Sequence, residues 1–362
     1  MTKLHALNQL GQAVWLDFIS RDLIESGELA DLIQQGLRGM TSNPSIFEKS
    51  ISNGEAYDEQ LNALKDEHKT PIEIYEAIAI QDIQSAADLF RQLYDETNGA
   101  DGFVSLEVNP NLSRDTQGTI DEVHRLRERV NRPNVMFKVP ATNEGIIAVR
   151  RLVSEGINVN ITLMFSLSHY NAVAQAYIDG LETYYEAGGD MSRVASVASF
   201  FVSRVDAKLD PILEKKGAEY LKGKIAIANA KQVYKRFNEM FSGGRWEKLA
   251  NAGARVQRPL WASTSTKDPS YPDTLYVDNL IGANTVNTMP PDTLDAFLDH
   301  GNVQETVNQG VDEADTHLVE LVKHDINLLK IGDELQEEGV EKFMMPFDAL
   351  MNTIAKESQH VV

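Results

Sequence analysis

The chain contains no cysteine, which excludes disulfide staples and thiol chemistry. It has no apolar run near the ~20 residues a membrane helix needs. Its opening residues, "MTKLHALNQLGQ", lack the apolar core of a signal peptide. Together these absences lead us to expect a cytoplasmic protein with no membrane span. Basic charge is scarce: 34 Lys and Arg stand against 54 Asp and Glu, a net charge of −20. A nucleic-acid partner, which needs a basic face, is therefore not expected. Any anionic substrate must be caught by a local basic pocket against the overall field. There is no glycine-rich phosphate turn of the kind that opens a doubly wound dinucleotide fold. The eight histidines carry no metal motif, so neither a metal nor a cofactor is expected.

What is present is alternation. Short apolar segments begin at Val14 (VWLD), Gly39 (GMTSN), Phe103 (FVSLEV), Val135 (VMFKVP), Ile157 (INVNITLM), Arg193 (RVASVASFF), Pro259 (PLWAST) and Thr285 (TVNTMP). Helical patterns lie between them. Ile147, Val149, Leu152 and Val153 share a helix that stops at Gly156. Ser113 is the expected cap of a helix carrying Ile120, Val123, Leu126 and Val130, and Ser166 that of the segment from Leu167. Eight strands alternating with helices predict a (β/α)8 barrel, with a doubly wound sheet as the alternative. The chain reads as a single domain over residues 1–362, with a helical insertion at about 55–96 and a helical C-terminal extension at about 312–358. Either helical region could support self-association as a homo-oligomer, or simply cover the barrel.

Strand parity then picks out a face. In a barrel, outward residues pack under helices and are apolar, while alternate residues point in. Val104, Leu106 and Val108 pack outward, leaving Ser105 and Glu107 inward. Val135, Phe137 and Val139 do the same for Lys138, and Val14 and Leu16 for Asp17. Ile157, Val159, Ile161 and Leu163 leave Asn158, Asn160 and Thr162 inward. Thr41 and Asn43 share a face, Ser199 falls in a less clean alternation, and Trp261 and Ser263 oppose Leu260, Ala262 and Thr264. Asp17, Asn43, Glu107, Lys138, Asn160, Thr162, Ser199 and Ser263 thus converge at the C-terminal ends of the strands, where barrel enzymes keep their active sites. The bland alternative, isolated polar residues satisfied by backbone, weakens as the set grows, because several ionisable groups in one core are costly without a purpose.

A lysine in an enclosed pocket loses solvation of its charged form. As a neutral amine it can form a Schiff base with a carbonyl, and the iminium stabilises a neighbouring carbanion, as in class I aldolase chemistry. Such chemistry needs a proton carrier, for which Asp17 and Glu107 are the candidates. The competing reading of Lys138 is a structural ion pair with one of them. Arg204 falls in the first turn of the helix after strand six, where an anion such as a phosphate would bind. Its alternative is pairing with Asp206 or Asp210. Lys267, in the loop after strand seven, could also reach a phosphate, although a loop lysine is usually just solvated.

The segments "VWLDFISRDL", "GMTSNPSIF", "FVSLEV", "MFKVPATNEGIIAVRRLVSEGINVNITLMFS" and "ASFFVSRVD" resemble, in order, the motifs of the transaldolase family. The resemblance spans Val14 to Pro290, and the loop wording and chain length are similar to the longer bacterial and plant-type branch. It implies a TIM barrel of the class I aldolase type and transfer of dihydroxyacetone between sugar phosphates. The donor would be sedoheptulose 7-phosphate or fructose 6-phosphate, and the acceptor glyceraldehyde 3-phosphate or erythrose 4-phosphate. By resemblance, Lys138 is the nucleophile and Asp17 takes the proton of the donor hydroxyl. Glu107 shuttles protons through a water held with Thr162. Asn43, Asn160 and Ser199 hold the dihydroxyacetone hydroxyls, Arg204 holds the phosphate, and Thr41 supports Asn43 or the water. Shorter family members carry a second arginine near a serine after strand seven. Here the loop reads "ASTSTKDPSYPDTLY", leaving Ser263 and Lys267 as the candidates. The rival readings are a fructose-6-phosphate aldolase-like enzyme, in which the resemblance places glutamine at the position of Glu107, and a non-catalytic sugar-phosphate-binding barrel.

Overall fold

The computed structural model describes residues 2–53 and 55–358; His360 and the outermost positions of the expected domain span lie outside them. Eight parallel strands close into a barrel in sequence order: β1 (Gln12–Leu16), β2 (Gly39–Thr41), β3 (Phe103–Glu107), β4 (Val135–Pro140), β5 (Val159–Met164), β6 (Ser196–Phe201), β7 (Arg258–Ala262) and β8 (Thr285–Met289). β1 pairs with β8 over five residues, which completes the closure. Almost every strand residue is buried, because helices cover the outside and side chains fill the inside. The expected (β/α)8 architecture is the one observed. No described helix is long and apolar enough to cross a membrane.

Local chemistry sets the turns that carry the strands into their helices. Thr142 caps the helix Asn143–Val153 by accepting the N–H of Gly145 at 3.0 Å. Ser166 caps Leu167–Glu186 by accepting the N–H of His169 at 3.2 Å, as expected. The cap assigned to Ser113 belongs instead to Asp115, whose side chain accepts the N–H of Gly118. Ser113 ends a preceding helical turn, and its carbonyl accepts the Thr142 hydroxyl at 2.5 Å.

Inside the barrel, Trp15 is fully buried beside Phe103, with ring centroids 6.5 Å apart. Gly39 makes room for it: a Cβ there would lie 2.6 Å from the indole ring. This apolar plug sits one inward position below Asp17 and Thr41, and forms the floor of the polar mouth.

Parity fails where the backbone leaves the regular strand. The β5–β6 register shifts between Ile161 and Met164, and Leu163 has φ +64°. Leu163 was expected beneath the outer helices; the bulge turns it to contact Gly339 of the C-terminal helix. Trp261 packs against Phe200 of β6, edge to face at 6.4 Å, although alternation had placed it with Ser263. β7 ends at Ala262, and Ser263 swings into the mouth through its own φ of +55°.

Helices at Asp58–Asp66 and Pro71–Glu96 fill the segment between β2 and β3. Asp82 of the longer one accepts Arg21 at 2.9 Å and the Tyr57 hydroxyl at 2.9 Å, anchoring this layer to the β1 side. After β8 come Val311–Lys323 and the 31-residue helix Leu328–Ser358. Gln336 of the latter donates to the carbonyls of Ala141 and Leu163 at 2.9 and 3.0 Å. Those carbonyls belong to the ends of β4 and β5, so this helix lies across the barrel mouth as a roof.

Replacing Gly39 by Ala forces its Cβ into the Trp15 ring. Gly39→Ala should destabilise the fold by about 1–3 kcal/mol, read as a lower urea midpoint with an altered indole fluorescence spectrum. An unchanged midpoint would mean that Trp15 does not fill the floor.

Candidate active site

A cavity of about 230 Å³ opens at the C-terminal ends of the strands. Its wall includes Asp17, Thr41, Asn43, Lys138, Thr162, Ser199, Arg204, Ser263 and Lys267. Of the eleven residues singled out from the sequence, nine therefore face one space. Glu107 and Asn160 lie behind that wall.

Lys138 is 5 % exposed, and its amine sits 3.2 Å from Glu107 Oε2 and donates to the Ser42 carbonyl at 3.1 Å. Register explains the pairing, since Glu107 of β3 and Lys138 of β4 are direct neighbours. Burial pushes the Glu107 carboxyl up to about 7, against the pull of Lys138 and with a further push from Asp17. A group balanced in this way can gain or release a proton near neutral pH. The ion pair offered as the alternative for Lys138 does exist. It leaves the amine on the cavity wall, where a carbonyl compound could reach it.

Asp17 accepts the Thr41 hydroxyl at 2.7 Å, and the Thr41 and Thr288 hydroxyls meet at 2.7 Å. Thr288, which also lines the cavity, was missed in the sequence, although the alternation of β8 could have found it. Asn43 spends its carbonyl oxygen on the N–H of Ile46 at 3.0 Å, which fixes the side chain and leaves its NH2 to donate elsewhere. Asn160 accepts the Ser199 hydroxyl at 2.6 Å and donates to Ser105 at 3.0 Å. It therefore orients Ser199 and meets a ligand only by giving up one of these bonds. Among the described residues, the Thr162 hydroxyl has no hydrogen-bond partner, and the Glu107 oxygens have none beyond the Lys138 ammonium 3.2 Å from Oε2.

The other side of the cavity is cationic. Arg204 lies in the first turn of the helix Ser203–Lys215, stacked 5.0 Å from the Phe201 ring centroid. Burial lowers its pKa, while Asp17 and Glu338 raise it. Its Nη1 is buried without a hydrogen-bond partner among the described residues. Lys267 stands at the rim with its amine on Ser265 at 2.7 Å; desolvation of that amine, then repulsion from Arg204, hold its pKa below the usual lysine range. Two cations lining one cavity, the arginine pushing the lysine amine down, form a site for an anion.

The carboxylates suggested as partners for Arg204 are engaged elsewhere. Asp206 accepts the N–H of Ala226 at 2.8 Å and the Tyr276 hydroxyl at 3.0 Å. Asp210 accepts the Tyr271 hydroxyl at 2.6 Å. Both tyrosines follow β7 in the segment that carries Lys267, so these bonds dock that segment onto the Arg204 helix. His169 pairs with Asp333 at 3.0 Å and is not part of the cavity wall. Among the described residues no group of three or more His, Cys, Asp or Glu could hold a metal ion.

The family model described as Transaldolase/Fructose-6-phosphate aldolase matches residues 14–354. The chain is 48 % identical over 359 residues to a transaldolase of Thermobifida fusca, covering 98 % of each. It is 44 % identical over 365 residues to a transaldolase of Trichodesmium erythraeum, covering 97 % of this chain and 96 % of that one. With a transaldolase of Neisseria meningitidis it shares 45 % over 351 residues, covering 97 % and 99 %. The chain belongs to the transaldolase/fructose-6-phosphate aldolase family, and it is an enzyme, a transferase of the transaldolase kind.

The Asp206 carboxyl supplies a pH test of the docking bonds. Burial raises its pKa from 3.8 to about 7, with Asp210 adding to the rise while the Ala226 N–H and Tyr276 oppose it. Because the folded pKa is the higher one, its stabilising contribution is complete below about pH 4 and is lost as the pH rises through 7. Asp206→Asn stays neutral throughout. Its stability relative to the parent should therefore rise between pH 5 and 8 by on the order of 3 kcal/mol, read from urea midpoints. Parallel pH curves for the two proteins would rule this out.

Proposed function

We propose that this family member transfers a dihydroxyacetone unit from a ketose phosphate to an aldose phosphate through a Schiff base on Lys138. The observation that carries the reading is the joint placement of a buried amine 3.2 Å from a carboxylate and two cations around one cavity. Glu107 takes a proton from the ammonium, and the neutral amine adds to the donor carbonyl. Glu107 then returns the proton to the carbinolamine hydroxyl, which leaves as water and gives the iminium. Thr162, with a free hydroxyl on the cavity wall, would hold that water.

Asp17 takes the proton of the donor's C4 hydroxyl. The C3–C4 bond breaks, its electron pair flows into the iminium, and an aldose phosphate is released from the resulting enamine. Thr41, held by Thr288, keeps the Asp17 carboxylate in place. A second aldose phosphate enters, the enamine carbon attacks its aldehyde, and Asp17 returns the proton. Hydrolysis of the new iminium frees the product ketose. Asn43 and Ser199 contact the dihydroxyacetone hydroxyls, with Asn160 setting the Ser199 rotamer. Arg204 and Lys267 hold the phosphate, with Ser263 and Ser265 beside them. In this reading the whole chain is one catalytic domain, working in the cytoplasm within the non-oxidative pentose phosphate pathway.

Borohydride reduction in the presence of fructose 6-phosphate should leave a dihydroxyacetone adduct on Lys138, seen by peptide mass spectrometry. Lys138→Arg should form no adduct and lose at least roughly three orders of magnitude in kcat. A folded parent protein with Lys138 unmodified would defeat the reading. Arg204→Ala and Lys267→Ala should each raise KM for fructose 6-phosphate by about 10–100-fold, as expected for loss of a charge-assisted contact. Neither should change turnover of unphosphorylated fructose, and equal losses on both sugars would remove the two cations from the phosphate site.

A further inference from the structure

We propose that Phe343, on the roof helix, sets how the Lys138 intermediate partitions between an aldehyde acceptor and water; the inference rests on the Schiff-base reading above. Among the described residues, Phe343 is the one member of the helix Leu328–Ser358 that lines the cavity. Its ring centroid lies 5.4 Å from Lys138 Nζ, and the residue is 5 % exposed. The amine therefore has the Glu107 carboxylate on one side, the Ser42 carbonyl on another and an aromatic face over it.

The helix that carries the ring is held in place from several directions. Gln336 fixes the helix to the ends of β4 and β5. Lys208 pairs with Glu334 at 2.9 Å and Glu338 at 2.5 Å, tying the roof to the helix that carries Arg204. One turn beyond Phe343, Phe347 packs edge to face on Tyr75 at 5.4 Å. These contacts fix the backbone that places Phe343 over the lysine.

The chemistry explains why a ring matters at this point. After C–C cleavage the nitrogen of Lys138 carries the three-carbon enamine. In transfer, the enamine carbon attacks an aldehyde and the charge returns to an iminium. In hydrolysis, the same carbon takes a proton from a general acid. Water then adds at the imine carbon and gives up a proton, and the carbinolamine collapses to free dihydroxyacetone and the lysine amine. An aromatic face attracts the iminium charge but offers a water molecule no acceptor to hold it beside the imine carbon. Water is thereby confined to the polar side, where Thr162 and Glu107 act. A bound aldose phosphate does not need that dry face to be wet, because its phosphate is held by Arg204 and Lys267.

The test compares Phe343→Ala and Phe343→Leu in the full chain. With fructose 6-phosphate alone, the rate of dihydroxyacetone release is measured; with erythrose 4-phosphate added, the rate of sedoheptulose 7-phosphate formation. In F343A the ratio of release to transfer should rise about tenfold, the size expected for loss of one desolvating aromatic contact. F343L, which keeps most of the volume but lacks the π face, should raise it less. Borohydride trapping on Lys138 should persist in both variants. Absence of the adduct in the parent would sink the Schiff-base reading itself. An adduct with an unchanged ratio in folded F343A would overturn the role of Phe343 alone. If F343A does not fold, F343L decides, a raised ratio supporting the role and a parental ratio ending it.

Discussion

The site depends on one contact, the Glu107–Lys138 pair held at 3.2 Å inside the barrel. Two opposite charges taken out of water compensate each other only when their geometry is fixed and their remaining valences are used. The barrel fixes the geometry. The two residues are register neighbours on adjacent parallel strands, so neither can shift without moving a ladder of backbone hydrogen bonds. The Ser42 carbonyl accepts a further hydrogen bond from the ammonium. The compensation is incomplete on the carboxylate side, where the Lys138 ammonium is the cation at Oε2 and, among the described residues, no further donor reaches either oxygen. With so little compensation, burial raises the Glu107 carboxyl toward neutrality.

A second group of charges lines the same cavity. In a chain of net charge −20, Arg204 and Lys267 share a cavity rim with Asp17 on the facing wall. The carboxylates that follow Arg204 on its helix, Asp206 and Asp210, would neutralise it if they turned inward. They are instead taken up by Tyr276 and Tyr271, which leaves the guanidinium unneutralised and at the same time seats the segment that brings Lys267. One set of bonds accomplishes both.

Much of this was legible in the sequence, for a physical reason. Where a strand is regular and both faces are packed, side-chain direction follows a period of two. Lys138, Glu107, Asp17 and Thr162 could thus be placed from their apolar neighbours alone. What was not legible depends on departures from that period or on distant segments. Ser263 faces the cavity through a left-handed residue that no alternation encodes, and the bulge at Leu163 reverses its expected direction. Asn160 and Glu107 have the right parity and stand level with Lys138 in register, yet they do not line the cavity, a distinction that alternation does not encode. Phe343 sits in "KFMMPFDAL", where an aromatic among methionines reads as ordinary core. Only the crossing of the roof helix brings it over the lysine.

That the roof follows every strand in the chain has a consequence for how the catalyst comes into being. A ribosome delivers the eight strands first, and with them Lys138, Glu107, Asp17 and Arg204. A barrel that closed before the roof emerged would leave the Lys138 amine without its aromatic cover. Only when the helix Leu328–Ser358 emerges and Gln336 finds its two carbonyls does the aromatic cover arrive. The order of synthesis thus delivers the cover of the cavity after every other residue that lines it.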